Sequence, residues 1–346
     1  MNRVIIEDME YIRNRTENGH FDGSTVLVSG ATGLIGKYLV YYFARYCGCK
    51  VIVIVRDMDK AYQLWNDLGD NVEYIHSDIT QLEARDMSVD YVIHAAGITS
   101  SRLFSEQPAE VIYESVQGTR KMLEFARNNP VKSFVFLSTM EVYGTPQTEN
   151  RITELHGSNL DTMVPRASYP ESKRLCETLC AAYFSQYRVP VRVVRLTQTF
   201  GPGVECNDSR VFAEFARCAM EKRDIVLHTG GGTKRSYLYL ADACTAILQV
   251  MMKGTNGEAY NAANEDTYCS IRQMAELVAK KTAKGSIQVR IEPDDGLRRK
   301  LGYMSELKMN LDTSKLRKTG WKPEVGLSEM YERMLACMGT DTGKGK

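Results

Sequence analysis

The sequence predicts an α/β protein built on a doubly wound parallel sheet. Short runs that are apolar throughout recur along the chain from Thr25, and stretches with helical periodicity separate them. Strands that are buried on both faces are typical of a parallel sheet covered by helices on each side. After about residue 203 this alternation weakens and glycine clusters interrupt the chain, so a smaller, mixed α/β C-terminal portion is expected there.

The elements of the sheet can be taken in order. The first expected strand covers 26–28, a glycine-rich turn follows, and a helix is expected over 34–46. Helical patterns also lie at 104–129 and 171–187. The remaining apolar runs are the expected strands 51–55, 91–93, 133–137 and 191–196. Open sheets of this kind bind ligands at the carboxyl ends of their strands, so the residues that follow these runs are the candidate site residues.

The composition excludes several function classes. Lys plus Arg number 44 against 43 Asp plus Glu, for a net charge of +1, whereas proteins that bind nucleic acid usually carry a basic excess. The apolar runs are too short to cross a bilayer, and acids interrupt the first residues where a signal peptide would be apolar. Nine cysteines without framework spacing favour reduced thiols. We therefore expect a cytoplasmic protein without a nucleic-acid partner, a membrane partner or a metal site.

A glycine-rich turn joins the first strand to the next helix. Residues 30–36 read Gly-Ala-Thr-Gly-Leu-Ile-Gly. Such glycines permit a tight turn and a close approach of the backbone to a pyrophosphate, and the helix N-terminus supplies free N–H groups. The turn predicts a Rossmann-type dinucleotide site, with a tight turn that binds nothing as the alternative. The candidate residues here are Gly30, Thr32, Gly33, Leu34, Ile35 and Gly36.

The ends of the following strands carry further candidates for cofactor binding. Arg56 and Asp57 follow the second strand; an acid there suits the ribose of NAD and an arginine suits the 2′-phosphate of NADP, so the residues leave the choice open. Asp78, followed by Ile79, could contact the adenine or could cap a helix. Small residues, Ala95 and Ala96, end the fourth strand, where a backbone that touches the cofactor would need them.

A tyrosine and a lysine four residues apart form the candidate catalytic pair. Tyr169 and Lys173 lie on one face at the start of a helix, and Thr139 ends the 133–137 strand region. The phenol of tyrosine has a reference pKa of about 10. Nearby positive charges, from Lys173 and an oxidised nicotinamide, would favour the phenolate. Tyr169 could then take a proton from a sugar hydroxyl that Thr139 also hydrogen-bonds.

These segments together resemble the extended short-chain dehydrogenase/reductases of the NAD-dependent epimerase/dehydratase family. The resemblance covers roughly residues 24–335 and also rests on Val142-Tyr143-Gly144 and Gly201-Pro202. It implies a nucleotide-diphosphate sugar that is transiently oxidised at C4 by tightly held NAD, in a protein that is commonly a homodimer formed through a helix pair. It places Thr139, Tyr169 and Lys173 on the catalytic positions. The substrate-binding positions that it implies are Thr99, Gln198, Arg210 and Arg235, the last of these on the diphosphate.

With this resemblance the chain divides into expected parts. Residues 1–23 form an N-terminal helical extension, and 24–203 form the NAD(P)-binding domain, to which 233–252 return. Residues 204–338 are mainly the substrate-binding portion, and 339–346, which are small and polar, are a disordered tail.

The segment Thr139-Met140-Glu141 bears on the branch of the family. The 4,6-dehydratases resemble Thr-Asp-Glu here and the UDP-glucuronate decarboxylases resemble Thr-Ser-Glu. Met140 cannot protonate a leaving hydroxyl, which counts against dehydration. We therefore expect decarboxylation, slightly favoured, or epimerisation, with dehydration third. Glu141 is a candidate catalytic residue, with a structural carboxylate as the alternative.

Several positions depart from the family pattern. Gln198 and Ser115 stand where the family usually has asparagine, and Arg56 is atypical for the decarboxylases. Arg298 and Arg299 are candidates for a second diphosphate arginine. Two other functions stay open: a one-way NADP-dependent reductase, and a binding protein that senses the cofactor without chemistry, which the joint presence of Thr139, Tyr169 and Lys173 disfavours.

Overall fold

The computed structural model describes residues 2–17, 19–83, 86–293 and 306–341. Its α-helices are α1 Arg3–Arg15, α2 Leu34–Tyr41, α3 Met58–Trp65, α4 Leu103–Glu106, α5 Pro108–Asn128, α6 Ser168–Tyr187, α7 Val211–Glu221, α8 Leu240–Lys253, α9 Ile271–Leu277, α10 Ser314–Arg317 and α11 Leu327–Asp341. Its strands are β1 Thr25–Ser29, β2 Lys50–Val55, β3 Val72–His76, β4 Tyr91–His94, β5 Ser133–Thr139, β6 Val191–Leu196, β7 Gln198–Phe200, β8 Ile225–Leu227, β9 Lys234–Tyr239, β10 Ala259–Ala262, β11 Asn264–Ser270, β12 Val289–Ile291 and β13 Lys308–Met309.

A seven-stranded parallel sheet in the order β10-β6-β5-β4-β1-β2-β3 is the centre of the fold. From β1 the chain adds strands on one side as far as β3 and then crosses to add β4, β5 and β6 on the other side. Helices cover both faces, and two separate apolar cores result. The predicted doubly wound α/β fold is confirmed, with its switch point between β1 and β4, where such sheets bind ligands.

A second sheet carries the C-terminal portion. It has the order β11-β9-β13, and β7 pairs with β9. Since β7 begins at Gln198, directly after β6 ends at Leu196, the chain has already left the main sheet before the boundary predicted at residue 203. The return to the main sheet also extends beyond residue 252, because β10 pairs with β6 at its edge. The expected boundaries followed the apolar runs, which do not mark the short polar strands of this portion.

Two predicted helices differ from the observed ones. The helix expected over 34–46 is α-helical only to Tyr41 and ends in a π-helical turn, Tyr42–Tyr46. The helix expected over 104–129 breaks before Pro108, because the residue before a proline is disfavoured in the α conformation. The last helix, α11, ends at Asp341, two residues past the start of the expected tail, and buries Met330, Met334 and Met338. Residues 342–346 lie outside the described residues.

The N-terminal helix is tied to both halves of the molecule through the buried carboxylate of Asp8. Asp8 accepts hydrogen bonds from Tyr38 of α2 at 2.9 Å and from Tyr239 of β9 at 2.8 Å, and it pairs with Arg333 of α11 at 2.7 Å. Burial raises the pKa of Asp8, while the hydrogen bonds and Arg333 oppose this shift. The helix expected in residues 1–23 is therefore an integral part of the fold.

A second buried carboxylate fixes the segment that leads to α11. Asp242, in the first turn of α8, accepts hydrogen bonds from the Tyr11 hydroxyl and from the backbone N–H groups of Glu324 and Val325.

None of the helices in the described ranges is both long and apolar enough to cross a membrane. No disulfide bond joins any two of the nine cysteines, all of which lie in the described part of the chain.

We predict that Asp242→Ala destabilises the protein, because it leaves two backbone N–H groups without their acceptor. The free energy of unfolding, measured by urea titration with circular dichroism, should fall by about 3 kcal/mol. Asp67→Ala, which removes an exposed ion pair with Arg45, should change it by less than about 1 kcal/mol. Equal effects of the two substitutions would contradict this role of Asp242.

Candidate active site

The glycine-rich turn after β1 is packed so closely that side chains are excluded from it. Gly30 has a φ of +67°, and a Cβ there would lie 2.5 Å from the backbone of Ala95 and Ala96. A Cβ on Gly36 would lie 2.3 Å from the Gly30 carbonyl oxygen. Gly33 caps α2 without a side-chain hydrogen bond, so the helix N-terminus faces the turn. This cradle, with the small end of β4 beside it, fits the pyrophosphate of a dinucleotide.

At the end of β2, two carboxylates lie within 4 Å of the candidate Arg56. Its Nη1 atom lies 3.7 Å from Asp78 Oδ2 and 3.9 Å from Glu114 Oε2, and its side chain is 69% exposed. Asp57 caps α3 by accepting the N–H of Lys60 at 2.9 Å. A 2′-phosphate at this end of the strand would therefore meet negative charge, which favours NAD over NADP.

The neighbouring candidates Asp78 and Ile79 also have structural contacts. Asp78 accepts the N–H and the hydroxyl of Thr80 at 2.8 and 2.6 Å, and these bonds help lower the pKa of its carboxyl. The side chain of Ile79 packs where a Cβ on Gly118 of α5 would come within 3.0 Å. Asp78 is thus the cap of a turn, the alternative that the sequence left open.

His94 at the end of β4 is a packed histidine. Its ring hydrogen-bonds Ser29 at 2.7 Å and Thr119 at 3.1 Å, and it is buried. Burial lowers the pKa of His94 to about 3, so the ring is neutral. It therefore contributes no charge to the site.

Tyr169 is buried in the first turn of α6 and meets the end of β5. Its ring stacks on that of Phe104, with centroids 4.2 Å apart and planes at 6°. Burial is the largest influence on its pKa and raises it well above the usual value, and the charge of Glu141 raises it further. A hydrogen bond with Thr139 lowers it. The structure thus brings Thr139, Glu141 and Tyr169 together, as the sequence predicted.

Lys173 lies one helical turn after Tyr169 and is also buried. Its Nζ atom donates to the Leu137 carbonyl oxygen at 2.9 Å and lies 4.6 Å from the centre of the Phe136 ring. Burial lowers the pKa of this ammonium. A Cβ on Gly97 would come within 3.6 Å of Nζ, so the lysine spans from α6 to the segment after β4.

Arg166 is a site residue that the sequence reasoning missed. Its Nη2 atom donates to Glu141 Oε2 at 2.9 Å, and the guanidinium carbon lies 4.7 Å from the centre of the Phe104 ring. Arg166 lowers the pKa of Tyr169. The only signal in the sequence is its place three residues before Tyr169, and this spacing by itself predicts no contact because Arg166 precedes α6.

The predicted substrate residues fall into separate groups. Gln198 of β7 accepts a hydrogen bond from Arg235 of β9 at 3.3 Å, and the Arg235 Nε atom is buried without a partner among the described residues. Arg210 pairs with Asp208 at 2.5 Å and lowers the pKa of Tyr169. Thr99 is exposed in the segment between β4 and α4. Arg298 and Arg299 lie outside the described residues.

Met140 is turned away from these groups. Its side chain is buried in a small apolar cluster, and its sulfur accepts a hydrogen bond from the Thr197 hydroxyl at 3.2 Å. No proton donor therefore stands at the position next to Thr139 that the dehydratases use in the resemblance described above.

A dinucleotide cradle beside a buried Tyr–Lys pair defines a protein of the short-chain dehydrogenase/reductase class. The model of the NAD dependent epimerase/dehydratase family matches residues 26–263, and the chain belongs to this family. Its cofactor is NAD, and the glycine cradle and the acids around Arg56 fit that cofactor.

Relatives and solved structures of similar proteins agree with this assignment. UDP-glucuronic acid decarboxylase 1 of Xenopus tropicalis is 28% identical over 313 residues, which cover 89% of this chain and 70% of the relative. The fold is similar to that of UDP-glucose 4-epimerase of Thermotoga maritima, with a TM-score of 0.77 at 22% identity, over 92% of this chain and 99% of the other. It is also similar to UDP-glucuronic acid 4-epimerase of Bacillus cereus, with a TM-score of 0.73 at 19% identity, over 91% and 97%.

We predict that Gly36→Ala weakens NAD binding at least tenfold, because the new Cβ would overlap backbone atoms of Gly30 and Ala31. NAD released from the purified protein and titration of the emptied protein with NAD would measure the change. Gly326→Ala is the matched control, since a Cβ there meets nothing within 4 Å. Wild-type affinity in Gly36→Ala would contradict the cradle.

Proposed function

We propose that this enzyme oxidises the sugar of a nucleotide-diphosphate sugar at C4 and that the oxidised sugar then rearranges. The observation that supports this most is the buried Tyr169 phenol beside Thr139, at the carboxyl edge of the sheet next to the glycine cradle. A phenol in this position can act as a general acid or base toward a hydroxyl bound in the same cleft.

The proposed roles follow from what each side chain can donate or accept. Tyr169 takes the proton of the C4 hydroxyl as the C4 carbonyl forms, and Thr139 hydrogen-bonds the same oxygen. Lys173 holds the strand end through the Leu137 carbonyl and extends toward the segment after β4. NAD, held by the glycine turn of residues 30–36, would supply a reversible hydride acceptor at C4. Glu141 contributes its negative charge beside the phenol.

We favour decarboxylation of UDP-glucuronate as the rearrangement. Oxidation at C4 makes this sugar a β-keto acid, whose C5–C6 bond breaks with release of carbon dioxide and whose C5 then takes a proton. Such a reaction needs no general acid at the place of Met140, which is buried in an apolar cluster. The decarboxylase relative supports this choice. The fold similarity to a UDP-glucuronic acid 4-epimerase keeps inversion at C4 as the second candidate.

We assign the diphosphate to Arg235, whose buried Nε lacks an acceptor in the part of the chain that is described. A guanidinium can donate two parallel hydrogen bonds to a phosphate. Gln198 orients Arg235 from the neighbouring strand. Arg210 and Thr99, which lie on two separate segments, are proposed to contact the sugar or its nucleotide.

We also propose a cytoplasmic homodimer. Cysteines without disulfide bonds are typical of reducing compartments. The α5–α6 helix pair leaves Ile112, Tyr113 and Leu175 exposed by 43, 58 and 46%, which is apolar surface that a second copy would cover.

The proposed reaction predicts that the purified protein converts UDP-glucuronate without added cofactor. No added cofactor is needed because the hydride is returned within each cycle. Mass spectrometry should show that the sugar nucleotide has lost the mass of carbon dioxide. Tyr169→Phe should reduce turnover at least 100-fold, an order of magnitude typical of a lost acid–base group, while NAD stays bound.

Tyr62→Phe, which changes an exposed tyrosine on α3, is the control and should keep full turnover. An unchanged mass of the sugar nucleotide would remove decarboxylation, and proton NMR of the same sample would then reveal an inverted C4 hydroxyl if the enzyme is an epimerase. Near-normal turnover by Tyr169→Phe would refute the proposed base.

The proposed dimer predicts that Tyr113→Glu combined with Leu175→Glu yields a monomer, because charge on the covered surface disfavours its burial. Sedimentation velocity would give the mass of each species. Tyr62→Glu changes a tyrosine on α3 that is exposed by 50%, against 58% for Tyr113, and should leave the dimer intact. A monomeric wild type, or a dimeric double variant, would reject this interface.

A further inference from the structure

Three side chains are stacked in layers at the Tyr169 ring. Phe104 lies parallel to Tyr169 at 4.2 Å, and the Arg166 guanidinium carbon lies 4.7 Å from the centre of the Phe104 ring. The Ser168 hydroxyl donates to the Phe104 carbonyl oxygen at 3.0 Å and fixes this segment to the start of α6. The layers therefore connect the turn that carries Arg166 with the ring of the proposed base.

The Glu141–Arg166 pair is unlike the structural ion pair nearby. Arg195 and Glu177 are joined by three hydrogen bonds of 2.6 to 3.2 Å. Arg166 makes one contact with Glu141, and its Nη1 atom is buried without a partner among the described residues. A buried N–H without an acceptor is unfavourable. Arg166 is therefore held by one hydrogen bond to the Glu141 carboxylate and by the face of the Phe104 ring, and these contacts place its charge beside Glu141.

The charges around Tyr169 come from several elements. They belong to Glu141 after β5, Arg166 before α6, Lys173 on α6, and Arg210 with its partner Asp208 before α7. Asp208 balances Arg210, and Lys173 donates to a backbone carbonyl. Glu141 is the negative group that disfavours the phenolate, and Arg166 is the cation in contact with Glu141.

We propose that Arg166 is a positioning residue, which offsets the charge of Glu141 beside Tyr169 and holds Phe104 against the Tyr169 ring. This inference rests on the role proposed above for Tyr169 as the base. Its consequence is that the proton affinity of the phenol depends on a pair of charges outside the Tyr169–Lys173 motif. The pair sets how much positive charge the other groups around Tyr169 must supply before the phenol can lose its proton.

The direction of the effect follows from the charges. Removal of Arg166 leaves Glu141 unopposed, which favours the neutral phenol and raises the pKa of Tyr169. A base acts in its deprotonated form, so the rise of activity with pH should move to higher pH. Removal of Glu141 should move it to lower pH, and removal of both charges should return it toward the wild-type position.

The test is the pH dependence of kcat for Arg166→Gln. The rising part of the profile should shift upward by about one pH unit, the size expected for one nearby charge. The double variant R166Q/E141Q should shift back, and Arg166→Lys, which keeps the charge, should stay near wild type in pH while kcat falls. Arg102→Met, which removes an exposed ion pair with Glu106 on the neighbouring α4, is the control and should not shift the profile.

A second measurement does not depend on turnover. In NAD-loaded protein with ¹³C-labelled tyrosine, the Tyr169 resonance is assigned by its absence in Tyr169→Phe, and its titration should move upward in Arg166→Gln. A lower kcat with an unshifted profile and an unshifted resonance would overturn the proposal and leave Arg166 a structural role. If Tyr169→Phe remains active, the proposed function fails, whereas the resonance still reports whether Arg166 acts on Tyr169.

Discussion

The burial of the Tyr169 phenol is the constraint on which the proposed chemistry depends. A buried phenol resists ionisation, since the charged form loses its hydration. The fold opposes this with a hydrogen bond from Thr139 and with guanidinium groups from two segments outside the helix that carries the tyrosine. The site is therefore an arrangement of the whole sheet edge, and the Tyr–Lys motif is one part of it.

The topology of the sheet explains why these groups meet. The strands β1, β4, β5 and β6 are adjacent and parallel, so the segments that follow them emerge at one edge. The glycine cradle follows β1, Gly97 follows β4, Thr139 ends β5, and Glu141 lies in the turn directly after it. Because a Cβ on Gly30 would overlap the backbone of Ala95, the cradle and the end of β4 are in direct contact. The glycine turn and the ends of β4 and β5, which carry the candidate cofactor and catalytic residues, thus lie along one edge of the sheet.

The sequence predicts the central sheet, because continuous apolar strands are a local signal, and the glycine spacing marks the tight turn after β1. It does not predict β7 and β9, which are partly polar strands. β7 carries Gln198 and β9 carries Arg235. Arg166 and Phe104 also escape prediction, since their contacts with Glu141 and Tyr169 join segments that are distant in the chain and follow no periodicity. For Asp78, a local turn preference identified the cap, while its relation to Arg56 required the structure.

The N-terminal helix α1 connects α2 to β9 through the side chain of Asp8. Tyr38 lies on α2, the helix that begins at the glycine cradle, and Tyr239 ends β9, the strand that carries Arg235; both donate to Asp8. Arg333 completes the set, so the buried carboxylate is compensated by a cation and by hydrogen bonds. A shift of α1 would therefore move the cofactor cradle relative to the strand proposed to bind the diphosphate. In this way α1, which carries none of the candidate site residues, fixes α2 and β9 relative to each other.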